Sequence, residues 1–160
     1  MPATSLGPGF AGLVMDGGVI PALPALAKEA ALLALARHAA DALGQSALLI
    51  HERLRTREAL GSTGFGGGAA IPHARLPGLT ACVALVARLP EPIDWGAVDG
   101  EPVDVLVLLL SPEDAGADHL KALARISRSL RDPATLPALR AARDAGAMLA
   151  ALASDTSIAA

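Results

Sequence analysis

Two apolar runs of strand length, Ala81-Cys-Val-Ala-Leu-Val-Ala-Arg-Leu89 and Val103-Asp-Val-Leu-Val-Leu-Leu-Leu110, leave this chain few ways to fold. A strand with one wet face alternates apolar and polar residues, whereas near-continuous apolar runs belong to strands covered on both faces. Such a sheet needs helices on two sides, and the flanking sequence supplies them. Pro24 to Leu43 reads as an Ala-rich helix closed by Gly44. A second helix starts at the N-cap Ser46 and runs toward Leu60, where Gly61 stops it. A third runs from about Ala117, with Leu120, Leu123 and Leu130 on one face and Lys121, Arg125 and Arg128 on another. Pro133 to Ala142 and Asp144 to Ala153 read as two short closing helices. Val19 to Leu23 is the expected first strand, an edge strand because of Pro21. The fold class expected is therefore α/β: a three-layer α/β/α domain with a mixed β-sheet flanked by helices on both faces. Residues 1–18, rich in Gly, Ala and Pro, are expected to be a poorly ordered lead-in, and 19–160 to form a single domain.

Chemistry is expected in Gly61-Ser-Thr-Gly-Phe-Gly-Gly-Gly-Ala-Ala-Ile-Pro-His-Ala-Arg75, which sets five glycines and two hydroxyls ahead of one histidine. Pro72 fixes its own φ and pushes Ile71 to extended geometry, so His73 sits on a short extended segment with Ala69 and Ile71 on its face. Gly61, Ser62, Thr63, Gly64, Gly66, Gly67 and Gly68 are the candidate phosphate-binding loop, because glycine leaves backbone N–H groups free to point at an anion. A neutral imidazole is a nucleophile near pH 7, and a phosphoryl group arriving on it would be solvated by such donors. Two nucleotide motifs are excluded. Gly64 to Ala69 fits G-x-G-x-x-[GA], but Pro72 and Pro77 forbid the helix that the dinucleotide fingerprint opens, and no lysine between Lys28 and Lys121 can complete a P-loop.

The 13 basic and 16 acidic residues give a net charge of −3, without the basic excess of a general nucleic-acid binder. The unbroken apolar run Val105 to Leu110, like every other in the sequence, is far short of the roughly 20 residues that span a bilayer, so no direct membrane insertion is expected. No basic residue precedes Lys28, no secretory signal is visible, and Cys82 has no second cysteine to pair with, which together point to a cytoplasmic protein. Asp94, Asp99, Glu101 and Asp104 lack metal-ligand spacing, so no metal and no cofactor are assigned. Trp95 is expected to pack under the loop that carries it. Arg53, Arg55 and Arg57 suit the C-terminal dipole of their helix, and His38 its solvated side.

The glycine-rich segment ending at His73 resembles the phosphorylation-site segment of the fructose/mannitol-type enzyme IIA domains of the bacterial phosphotransferase system, most closely their nitrogen-regulatory branch. Glu91-Pro-Ile-Asp-Trp95, Val98-Asp-Gly-Glu-Pro-Val-Asp104 and Leu108-Leu-Leu-Ser-Pro-Glu-Asp-Ala-Gly-Ala-Asp-His-Leu-Lys-Ala-Leu123 extend the resemblance, which spans Val19 to Leu152. Ala69 stands where the family usually has a β-branched residue, and Ala74 where glycine is common. The resemblance implies that His73 is the phosphoacceptor, that Arg57 supports the phosphohistidine, and that His119 is its hydrogen-bonding partner. It implies an HPr-like phosphocarrier protein as donor and a covalent phosphohistidine carrier rather than a turnover enzyme. It also implies signalling to regulatory protein targets linked to nitrogen or potassium. The alternative is a IIA subunit serving the IIB component of a sugar permease. A metal-dependent hydrolase and a non-catalytic anion-binding module are further rivals, and a homodimer stays open.

Overall fold

The computed structural model describes residues 9–153 of the 160-residue chain. Its strands are β1 (Val14–Ile20), β2 (Gly64–Gly66), β3 (Ala69–Ala70), β4 (His73–Leu76), β5 (Val83–Ile93) and β6 (Val103–Pro112). Its α-helices are α1 (Lys28–Leu43), α2 (Ala47–Ala59), α3 (Ala117–Arg131), α4 (Thr135–Ala141) and α5 (Ala145–Ala151). The strands form one mixed six-stranded sheet in the order β1-β5-β6-β3-β2, and β4 follows β3 along the same side of β6. β5 and β6 are antiparallel, while β1 runs parallel to β5, and β3 and β4 run parallel to β6.

The two apolar runs become the central strands, and their residues divide between two cores by the period of two. Leu106, Leu108 and Leu110 of β6, with Leu85 and Ala87 of β5, face α1 and α2, where Leu32, Leu35, Ile50 and Leu54 are fully buried. Val105, Val107 and Leu109, with Ala84 and Val86, face the opposite layer of α3, α4 and α5, which contributes Ile126, Leu139 and Met148. Helices thus cover both faces, as a sheet with no polar face requires. Ala69 and Ile71 share the second core, as the alternation predicts.

The first strand starts at Val14, earlier than the expected Val19. The register on β5 shifts between Val14 and Val19. Gly17 turns at φ 72°, and a Cβ at Gly18 would lie 2.7 Å from the Met15 carbonyl oxygen. This glycine bulge hides the strand's alternation from the sequence. Part of the expected lead-in is therefore structured: Phe10 is fully buried in the second core and Ala11–Leu13 make a 3-10 turn, whereas residues 1–8 lie outside the described residues. α1 also starts later than Pro24, at Lys28, because the Leu23 N–H bonds the Arg88 carbonyl and keeps that segment beside β5.

Candidate functional site

Among the described residues β4 pairs with β6 alone, and no further strand covers its outer edge. Pro72 is the reason for the break that ends β3 and starts β4: it has no N–H for a ladder, while its carbonyl accepts from Leu109 N at 3.0 Å. His73 opens β4 at this edge, where both helical layers reach it. α2 supplies Arg57 from one layer, and α3 supplies His119 from the other, with the His73 and His119 ring centroids 5.5 Å apart.

The hydrogen bonds of His73 fix its tautomer. Nδ1 lies 2.7 Å from the Ile71 carbonyl oxygen, which can only accept, so Nδ1 carries the proton and Nε2 the lone pair. Arg57 Nε–H donates to Nε2 at 3.2 Å, and Arg57 Nη1 donates to the Gly61 carbonyl at 2.8 Å. Burial pushes the His73 pKa below its ordinary value, the Ile71 bond opposes this, Arg57 lowers it further and Glu58 raises it. The site therefore holds a neutral imidazole at pH 7, and His73 lines a pocket of about 350 Å³. Arg53, Arg57, Leu60, Arg75 and His119 line that pocket with His73, and no carboxylate does. Three guanidinium groups, of which only Arg53 pairs with a carboxylate among the described residues, Glu113 at 2.9 Å, leave an excess of positive charge that makes it a receptor for negative charge.

The structure brings Arg57 and His119 to His73, but it places the loop amides elsewhere. Thr63 N donates to Glu58 Oε1 at 3.2 Å, Gly64 N to Ser62 Oγ at 3.0 Å, and Gly67 N to Asp99 Oδ2 at 3.1 Å. Gly66 ends β2, and Gly67 and Gly68 turn between β2 and β3, where Arg140 donates to the Gly67 carbonyl and the Gly68 carbonyl accepts from Asp104 N and Val105 N. None of the seven loop residues lines the His73 pocket. Instead the loop braces the site: Thr63 O accepts from Ile71 N at 3.0 Å, and Gly61 O holds Arg57.

Below this brace lies a network that sequence reasoning did not find. The Glu58 carboxylate, with only 8% of its side chain exposed, accepts from Lys28 Nζ at 2.8 Å, from Thr63 N, and from the Thr63 hydroxyl. Trp95, 1% exposed, donates its indole N–H to Thr63 Oγ1 at 3.2 Å, and Lys28 Nζ lies 5.0 Å above its ring. Trp95 thus packs under the loop as expected. Removing one partner of a buried ion pair strands the other charge, which costs about 3 kcal/mol where one partner is partly exposed, as Lys28 is. We expect Glu58→Leu to lower unfolding free energy by about that amount in urea titrations. A loss below about 1 kcal/mol would reduce the pair to an ordinary surface contact.

His119, in the first turn of α3, is buried at 7% exposure, and its Nδ1 lies 2.7 Å from the Ser111 hydroxyl. Burial, Arg75 and then His73 push its pKa down to about 4. The unfolded chain therefore takes up a proton on this residue first as pH falls. The stability held by neutral His119 is complete above the ordinary value of 6.5 and drains away toward pH 4, by on the order of 3 kcal/mol. Between pH 7 and 4, His119→Gln should lose less stability than the native chain by about that amount, measured by denaturant unfolding at each pH. Parallel losses in the two proteins would contradict a buried neutral His119.

Known proteins share this architecture and sequence. The chain is 51% identical over 141 residues to the nitrogen regulatory protein of Bradyrhizobium diazoefficiens, covering 88% of this chain and 92% of that one. The crystal structure of nitrogen regulatory protein IIA-Ntr from Neisseria meningitidis superposes with a TM-score of 0.83 at 27% identity, covering 89% of this chain and 98% of that chain. The mannitol IIA structure from Escherichia coli, at 16% identity and a TM-score of 0.73 over 88% of this chain and 99% of its own, shares the fold. Residues 17–155 match the family model for the phosphoenolpyruvate-dependent sugar phosphotransferase system, EIIA 2, and the chain belongs to that family.

Proposed function

We propose that this protein is a regulatory phosphocarrier, which accepts a phosphoryl group on Nε2 of His73 from the phosphohistidine of an HPr-like protein and signals by its phosphorylation state. The observation that carries this reading is the Nδ1–H bond from His73 to the Ile71 carbonyl, which puts the lone pair on Nε2, where it accepts from Arg57 Nε–H at 3.2 Å until the phosphoryl group arrives. In the transfer, the Nε2 lone pair attacks phosphorus in line as the P–N bond of the donor breaks, and that electron pair returns to the donor imidazole. The positive charge developing on His73 is shared with Ile71 O through the Nδ1 proton. Arg57 exchanges its bond to Nε2 for the phosphoryl oxygens, and His119 donates to them from the opposite layer. The loop contributes through Gly61 and Thr63, which hold Arg57 and Ile71.

A regulatory role is supported by the nitrogen regulatory proteins among the relatives. In this reading the targets of the present chain distinguish the free form from one carrying about −1.5 to −2 added charges beside Arg57. A cytoplasmic location fits the supply of phosphoryl groups from phosphoenolpyruvate, and no helix among the described residues is long and apolar enough to cross a membrane. A deletion strain, compared with strains carrying His73→Ala or His73→Asp, should show altered nitrogen- or potassium-linked gene expression with sugar uptake intact. Loss of fructose or mannitol uptake with no regulatory change would instead make the chain a IIA subunit that passes phosphate to the IIB component of a sugar permease.

A further inference from the structure

We infer that Ser111 is the positioning residue of the transfer site: its buried hydroxyl fixes His119 as the Nε2–H tautomer, so that His119 presents a donor and not a lone pair to the incoming phosphoryl group. This rests on the reading of His73 as acceptor. Ser111 lies near the end of β6, fully buried, with Oγ 2.7 Å from His119 Nδ1 and 3.4 Å from Cys82 Sγ. A hydroxyl has one proton to donate, and a buried one must place it. The imidazole nitrogen is a strong acceptor at short range, whereas thiol sulfur is a weak one. The hydroxyl proton therefore goes to His119 Nδ1, and Cys82 donates its S–H to Ser111 Oγ. Both polar groups of the serine are then satisfied. The opposite arrangement sends the His119 Nδ1 proton to Ser111, the hydroxyl proton to sulfur, and the Cys82 proton to the Asp118 carbonyl at 3.8 Å. It keeps the short bond with its direction reversed, but it hands the hydroxyl proton to thiol sulfur, a weak acceptor, and moves the thiol proton from a 3.4 Å contact to a 3.8 Å one.

The consequence is functional because His119 lines the His73 pocket. An Nε2 lone pair facing a dianionic phosphoryl group would repel it, whereas an Nε2–H stabilises the charge on its oxygens. The serine acts as the carboxylate or carbonyl partner of a functional histidine usually does, setting which ring nitrogen holds the proton.

Nitrogen-15 NMR of the imidazole rings in the full native chain at pH 7 tests this directly. We expect His119 to show a protonated Nε2 and an unprotonated Nδ1, and Ser111→Ala to give a mixture of the two tautomers. With an HPr-like donor at saturating concentration, Ser111→Ala should transfer about tenfold more slowly, while the half-saturating donor concentration stays unchanged. A protonated Nδ1 on native His119, or a Ser111→Ala chain that transfers at the native saturated rate, would overturn the inference. If the native chain accepts no phosphoryl group at all, the reading of His73 fails, and the NMR tautomer alone still decides the claim about Ser111.

Discussion

A His73→Ala chain incubated with phosphoenolpyruvate, enzyme I and an HPr-like protein should accept no phosphoryl group, while keeping its fold. The effect is complete because no other histidine combines a half-buried neutral ring, a place in the lining of this pocket and an Nε2 lone pair held by Arg57. His119 is the nearest substitute, yet its buried Nδ1 is occupied by Ser111 and its ring is held in the first turn of a helix. The fold should survive because His73 adds little apolar burial: the core beneath it is made by Ala70, Ala74 and Leu76 on one face and by Ile71 on the other. What folding loses is the bond to Ile71 O and the one from Arg57, each worth about 1 kcal/mol. Circular dichroism and intact-mass measurement on one sample separate the two effects. Labelling of the variant at the native level, with the modified peptide elsewhere, would remove His73 from the account.

Arg57→Ala should slow the transfer by about two to three orders of magnitude, the usual cost of removing one donor from developing oxyanion charge. Arg57 already lies against the reacting nitrogen, held there by the Gly61 carbonyl, so the guanidinium reaches the phosphoryl oxygens with little reorganisation. Arg57→Lys should recover only part of the rate, because an ammonium lacks the planar fork that bonds one oxygen pair while keeping Gly61. Single-turnover quench-flow with the phosphorylated donor reads the effect. Equal rates for Arg57→Ala and the native chain would return Arg57 to the role of a helix C-terminal cation.

The apolar runs made the sheet legible because burial on both faces leaves a composition that few other folds tolerate. They extend two to four residues beyond the expected ends, to Ile93 and Pro112, where ladder bonds outlast the apolar pattern. β1 was misplaced because its alternation breaks at the Gly17–Gly18 bulge, a backbone device with no side-chain signature. At the site, His73 was legible from Pro72 and from the glycines before it, whereas Arg57 and His119 come from helices whose packing over one sheet edge no local pattern encodes. The glycine-rich loop reads as an array of anion donors, yet the amides of Thr63, Gly64 and Gly67 are engaged by Glu58, Ser62 and Asp99. Glu58 and Lys28 left one unused signal. Each stands at the unfavourable end of its helix, a carboxylate in the last turn of α2 and an ammonium in the first turn of α1. Two charges placed against their helix dipoles need each other, and they form the ion pair that underlies the loop.

The central claim is that Nε2 of His73 carries the phosphoryl group. Phosphorylating the native chain with phosphoenolpyruvate, enzyme I and an HPr-like protein, then recording phosphorus–nitrogen couplings by NMR on histidine-labelled protein, tests it most directly. One phosphoryl group on Nε2 of His73, with the Nδ1 proton still bonded to Ile71 O, is the predicted result. Phosphorus on Nδ1 of His73, or on His119, would contradict it.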